Sequence, residues 1–284
     1  MEKKLVKMTD MEYFSRSELS NSDLTKLIQS PKAYKFYKDF GGNEQTPSMM
    51  LGSLVHGMYL EPDVFDRSFV KGIIVDRRTK AGKEEWASFL STHHDKKVVT
   101  PEVWDHAVRI YDGLMSSVGA MEKLAKGRPE LAAFWEWNGV RCRAKIDWLA
   151  DDGFIWDLKT TKSLSDFARS VANFGYHRQD PFYQRAVKEI TGECRGFKFI
   201  AVENKEPYDA AIFVLDDMAR AKGTHEIELG LETYKRCMET KNWPGAFERG
   251  KEVLLSLPKW YYGMDESIMG DFEDEEKVEA NSGD

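Results

Sequence analysis

The stretch from Glu130 to Thr161, ELAAFWEWNGVRCRAKIDWLADDGFIWDLKTT, constrains the fold more than any other part of the chain. It reads as three strands joined by two tight turns. Asn138-Gly139 is a hairpin dipeptide, because both residues tolerate positive φ. Asp151-Asp152-Gly153 marks the second turn. Between the turns, Val140, Cys142, Ala144, Ile146 and Trp148 alternate with Arg141, Arg143, Lys145 and Asp147, the period of a strand with one apolar face. After the second turn, Ile155, Asp157 and Lys159 share one face, and Phe154, Trp156 and Leu158 share the other.

A second hairpin symmetric about Asp152 would place Asp147 opposite Asp157 and Lys145 opposite Lys159. Like charges opposed across a sheet destabilise it. A divalent cation between the two carboxylates would remove that penalty, and hard cations such as Mg²⁺ prefer carboxylate oxygen. Lys159 would then stand beside a metal-bound carboxylate, placed to act on an attacking water or on a pentavalent phosphate. The same charges also suit a plain solvated hairpin, so these residues alone leave both readings open.

The remaining chain is rich enough in apolar residues, at 42% with 12% aromatic, to build a core, and its 284 residues suit one large domain or two small ones. The net charge of −7 is unevenly spread. In the last 20 residues, nine acidic side chains face Lys277 alone, a net −8, which leaves residues 1–264 near +1. The expected organisation is a folded domain over 1–264 and a disordered acidic tail over 265–284. The three cysteines are too far apart for a zinc site or a disulfide framework. With no signal-peptide pattern and no run of 18 apolar residues, the expectation is a cytoplasmic protein away from membranes.

Helices are expected over 20–40, capped by Asn21 or Ser22 and interrupted at Pro31; over 46–60; from Pro101; over 163–173; over 182–191; and over 225–242. Gly52 and Gly57 flank His56 in the second of these, where close packing or a close ligand would explain two helix-weakening residues. A lone histidine there is ordinarily a core residue. The connection 71–99 reads as a polar loop carrying Arg77, Arg78, Lys80 and Lys83, and 174–181 as a polar loop whose His177 and Arg178 suit phosphate and base contacts. Strands over 196–202 and 210–215, joined through 204–207, complete an α/β or α+β chain with one mixed central sheet.

Five stretches in this order resemble the RecE-like exonucleases, the exonuclease VIII catalytic domain within the PD-(D/E)xK superfamily. They are Leu19–Leu24 with Ser30-Pro31; Leu51–His56 with Leu60-Glu61-Pro62; Gly139–Arg143 leading to Asp147; Asp157–Thr161; and Tyr176–Gln179, where Gln179 and Tyr183 form Q-x-x-x-Y. The resemblance runs over residues 17 to about 200. It departs at Ile146, where the family usually has proline.

The resemblance implies a restriction-endonuclease-like fold and metal-assisted hydrolysis of a DNA phosphodiester, with Mg²⁺ as cofactor and Mn²⁺ as a substitute. It makes His56, Asp147 and Asp157 metal ligands, joined by the Leu158 carbonyl, with Lys159 the catalytic lysine and Glu130 a further acidic candidate. Gln179 and Tyr183 would position substrate, with Thr160, His177 and Arg178 as further substrate contacts. It also implies double-stranded DNA digested from the 5′ end, a single-strand annealing protein as partner, and a closed homo-oligomer. Iron–sulfur relatives in the superfamily need four cysteines, and this chain has three. A noncatalytic DNA-binding or scaffold protein on the same fold is the competing reading, and the intact Asp147, Asp157 and Lys159 argue against it.

Overall fold

The structure is a computed structural model and describes residues 3–41, 46–121, 125–248 and 250–257. By its internal contacts the chain divides after Trp243. The described residues beyond that point, 244–248 and 250–257, contain no helix or strand. The acidic segment 265–284 lies outside the described residues.

The described residues up to 243 form a six-stranded sheet flanked by helices. The strands are β1 (Lys4–Lys7), β4 (Gly127–Trp137), β5 (Val140–Ala150), β6 (Phe154–Thr161), β7 (Gly196–Glu203) and β8 (Ala210–Phe213), adjacent in that order. Every neighbouring pair is antiparallel except β6–β7, which is parallel. The parallel pair is joined by α8 (Phe167–Phe174) and α9 (Tyr176–Thr191). A parallel return needs such a crossover, whereas β4 and β5 need only their two-residue turn. Asn138 and Gly139 have φ of 49° and 79°, both positive as that turn requires. This is the mixed, helix-flanked sheet expected from the sequence.

Each face of the sheet carries its own core. On one face α2 (Asn21–Gln29), α3 (Pro31–Phe40), α8, α9 and α10 (Asp217–Thr240) pack with Trp135, Ile146, Ile155, Phe182 and Phe199. On the other, α4 (Pro47–Leu60), α5 (Pro62–Ser68) and α7 (Pro101–Ser117) pack with Trp148, Trp156, Leu158 and Ile200. The short α1 (Asp10–Phe14) sets Tyr13 against Ala132 and Phe134.

Several local expectations are corrected. The cap of α2 is Ser20, in a reciprocal pair with Asp23, rather than Asn21 or Ser22. The connection 71–99 is not a loop: α6 (Lys80–Thr92) lies between the short parallel strands β2 (Phe69–Lys71) and β3 (Lys97–Val99). Its polar sequence hides a narrow aromatic face, on which Trp86 stacks with Phe89 and Phe89 packs at a tilt against His93. The segment 174–181 is also helical from Tyr176 onward, with Pro181 inside α9. Proline removes the donor that would bond the His177 carbonyl. That carbonyl faces Gly223 of α10, where a Cβ would stand 2.0 Å from the oxygen.

Candidate active site

Three departures from regular sheet geometry coincide around Asp147. In β5, Cys142, Ala144 and Ile146 share one core, but Trp148 enters the core on the opposite face, so the alternation expected through Trp148 switches at Asp147. In β4, the ladder pairs Pro129 with Trp148 and Leu131 with Ile146 and skips the pair between them, Glu130 and Asp147. Glu130 itself has φ 53°, a left-handed backbone that a non-glycine residue adopts at a cost. In β6, the ladder to β5 consists of Trp148–Trp156 and Leu149–Ile155. This is the symmetric register about Asp152, and one further step would bring Asp147 opposite Asp157. The ladder stops before that step.

The opened ladder frees the Leu158 backbone, and both of its polar groups are taken by side chains. The Leu158 N–H donates to Asp147 Oδ2 at 2.9 Å. The Leu158 carbonyl accepts from His56 Nε2 at 2.8 Å. His56 comes from α4 and also lies 3.2 Å from Asp147 Oδ2 and 3.8 Å from Glu130 Oε1. Ligand atoms of His56, Glu130 and Asp147 lie within 4.8 Å of one another. Gly57, next to His56, is a packing residue, since a Cβ there would come within 3.0 Å of the Phe65 ring. Gly52 has ordinary room, its nearest neighbour being Thr160 Oγ1.

Asp157 is buried and adjoins this group. It is held by an ion pair with Lys159 and a hydrogen bond from Gln179 Nε2. The ammonium of Lys159 meets its Oδ2. Lys159 also sits over the Tyr176 ring, 4.9 Å from its centroid. Lys145 does not face Lys159. It pairs with Glu130 Oε2 at 2.7 Å and with Asp10 of α1.

The charges are strongly coupled. Burial opposes the charge on His56, but the carboxylates of Asp147 and Glu130 outweigh it and hold the imidazole up at about 9. Burial pushes the Asp147 carboxyl up to about 7, with the neighbouring Asp157 adding to the shift and His56 opposing it. Burial also opposes the charge on Lys159, and Asp157 and Asp147 overcome it, so the ammonium is held above its ordinary range.

These residues fit a hard divalent cation. The imidazole of His56 and the carboxylates of Glu130 and Asp147 converge, the Leu158 carbonyl meets His56, and the buried Asp157 adds a third carboxylate beside Asp147. His56, Asp147, Asp157 and the Leu158 carbonyl would hold it, with Glu130 adjoining.

Helix α9 sorts the remaining candidates by face. Tyr176, Gln179 and Tyr183, at i, i+3 and i+7, point toward Lys159 and Asp157; Tyr183 adjoins Gln179 and its hydroxyl is kept neutral by burial. His177 and Arg178 turn the other way. Both pair with Glu226 of α10, and Arg178 also reaches Thr25 Oγ1 at 3.0 Å. Those two residues brace the α8–α9 corner instead of entering the acidic cluster. Thr160 lies beside α4 rather than among the carboxylates. Tyr176, within the fifth stretch, and Lys145 and Asp10 are assigned no site role from the sequence. The i, i+3, i+7 spacing from Tyr176 was the available signal, masked by Pro181.

An aspartate, then Asp157-Leu158-Lys159 one hairpin later on a mixed sheet, with a glutamine from the following helix, defines a site of the PD-(D/E)xK type. Residues 20–251 match the PDDEXK-like domain of unknown function DUF3799, and the chain belongs to that family. This agrees with the RecE-like resemblance. No curated protein matches the chain. Among solved structures, a Eubacterium rectale protein named "Putative exonuclease" superposes with a TM-score of 0.61 at 17% identity, covering 93% of this chain and 100% of that one. At that identity it shows a shared fold. A phage-related exonuclease from Haemophilus somnus matches at TM-score 0.33 and 13% identity, over 82% of this chain and 100% of its own, and carries no weight at that score.

Proposed function

We propose that the chain is a divalent-cation-dependent exodeoxyribonuclease that digests one strand of linear duplex DNA, 5′ to 3′. The observation that carries this reading is the notch in the sheet where Glu130, Asp147 and Asp157 adjoin Lys159 and His56. Family membership and the name borne by the Eubacterium rectale protein support it. The cation is Mg²⁺, with Mn²⁺ as a substitute; when bound it supplies positive charge against the phosphate oxygens.

The chain's own residues divide the remaining work. Lys159, charged and aimed across Asp157, stabilises the developing negative charge and orients the attacking water. Gln179 fixes the rotamer of Asp157, and Tyr183 backs Gln179. Lys145 neutralises Glu130, which limits repulsion among the three carboxylates. The proposed setting is phage-type recombination, beside a single-strand annealing protein and in a closed homo-oligomer. Residues 1–264 are the proposed nuclease domain, with 265–284 a dispensable tail.

The test uses linear duplexes blocked at the 5′ or the 3′ ends, with Mg²⁺ or with chelator. Digestion is expected only with Mg²⁺ and a free 5′ end. Tight DNA binding without hydrolysis would replace the enzyme by a noncatalytic binding protein. Digestion of the 5′-blocked duplex would overturn the polarity.

A further inference from the structure

Phe174 closes α8 and is 61% exposed, although it belongs to an otherwise enclosed aromatic cluster. Its ring lies 5.7 Å from that of Tyr176. Tyr176 in turn packs on Phe167 and Phe199, both buried, and carries Lys159 over its face. The outer ring of the cluster is thus two contacts from the proposed catalytic ammonium.

The corner that presents Phe174 is firmly built. Gly175 takes a left-handed conformation (φ 71°, ψ 30°), and a Cβ there would collide with the Arg178 guanidinium at 1.9 Å. Arg178 is itself anchored on Glu226 and Thr25. The bracing by His177 and Arg178 therefore fixes where Phe174 stands. The ring is backed by Tyr176 on a fixed backbone corner, which lowers the cost of ordering it when a planar ligand arrives, and every nucleobase offers a π face.

Resting on the nuclease reading, we infer that Phe174 is a stacking platform for the nucleobase next to the phosphate held at Lys159. The ligand class is a single nucleobase of the strand being cut, taken without sequence preference. Phe174 is a positioning residue: its contact is with the base, and the reacting phosphate lies over Lys159.

The test compares wild type with Phe174→Ala, Phe174→Leu and Phe174→Trp on duplex DNA carrying 2-aminopurine at its 5′-terminal nucleotide. Binding and fluorescence are read in chelator, and KM and kcat in Mg²⁺. Losing one stacked base should weaken DNA binding and raise KM about tenfold in Phe174→Ala. It should keep kcat within about twofold and abolish the 2-aminopurine signal. Phe174→Trp should restore both, and Phe174→Leu neither. Wild-type-like binding and fluorescence in Phe174→Ala, or full rescue by leucine, would overturn the platform while leaving the nuclease intact. A wild type that binds and shows the Phe174-dependent signal but never hydrolyses DNA would overturn the nuclease reading and leave the platform standing.

Discussion

Metal-free protein should lose stability as pH rises from 7 to 9, and the loss should shrink in His56→Gln. In the folded state His56 is held at about 9 by Asp147 and Glu130, against an ordinary value of about 6.5. A histidine whose folded value is raised contributes its full stabilisation below the unfolded value and loses it as pH climbs through the folded one. The shift corresponds to about 3 kcal/mol in full, of which about 2 kcal/mol disappears between pH 7 and 9. Asp147, pushed up to about 7, also makes stability fall with rising pH, but mainly below that window. The two effects share a sign and separate in range.

The assay is urea unfolding in chelator at pH 7, 8 and 9, alongside the His56 ring resonances by NMR. His56→Gln should reduce the slope across that window, leaving the part that Asp147 contributes once the neighbouring imidazolium is gone. A cation that takes His56 as ligand must displace its proton, so Mg²⁺ affinity should rise about tenfold per pH unit over the same range. A His56 ring titrating near 6.5, or an identical slope in His56→Gln, would refute the coupling.

The remaining predictions address other parts of the site and fold. Lys159→Ala should cut turnover by orders of magnitude and spare DNA and metal binding, as measured by single-turnover kinetics and calorimetry; a parallel loss of DNA affinity would make Lys159 a binding residue. Gly223→Ala should cost about 1–3 kcal/mol, because its Cβ would lie 2.0 Å from the His177 carbonyl and force α10 off α9; unfolding within 0.5 kcal/mol of wild type would contradict that packing. Truncation after Met264 should leave the maximal rate unchanged. It should tighten DNA binding slightly at low salt only, since the tail carries a net −8 and screening acts over about 8 Å at physiological ionic strength; a rate loss at saturating DNA in both salts would make the tail part of the enzyme.

The meander was legible because strict alternation and Asn138-Gly139 leave few alternatives; the register about Asp152 was an assumption from the sequence, and the ladder adopts it over Trp148–Trp156 and Leu149–Ile155. The break at Asp147 was not legible. It depends on the left-handed Glu130 and on Leu158 giving up its ladder partner, neither of which has a sequence period. Spacing alone favoured an ordinary core histidine at His56; the fold brings it across 102 residues to the Leu158 carbonyl. His177 and Arg178 read as substrate contacts because Pro181 suggested a loop. In the helix they turn away from Tyr176 and Gln179 by ordinary periodicity and meet Glu226, a residue nearly fifty positions on. Partners so distant in sequence are supplied only by tertiary packing.

The most direct test of the central claim is Mg²⁺-dependent release of nucleotides from linear duplex DNA by purified Asp147→Ala and Asp157→Ala proteins, each first shown to be folded. Removing either carboxylate leaves the cation underliganded, so both variants should fall to background while wild type digests the duplex. Wild-type rates in either folded variant would contradict the assignment of the site.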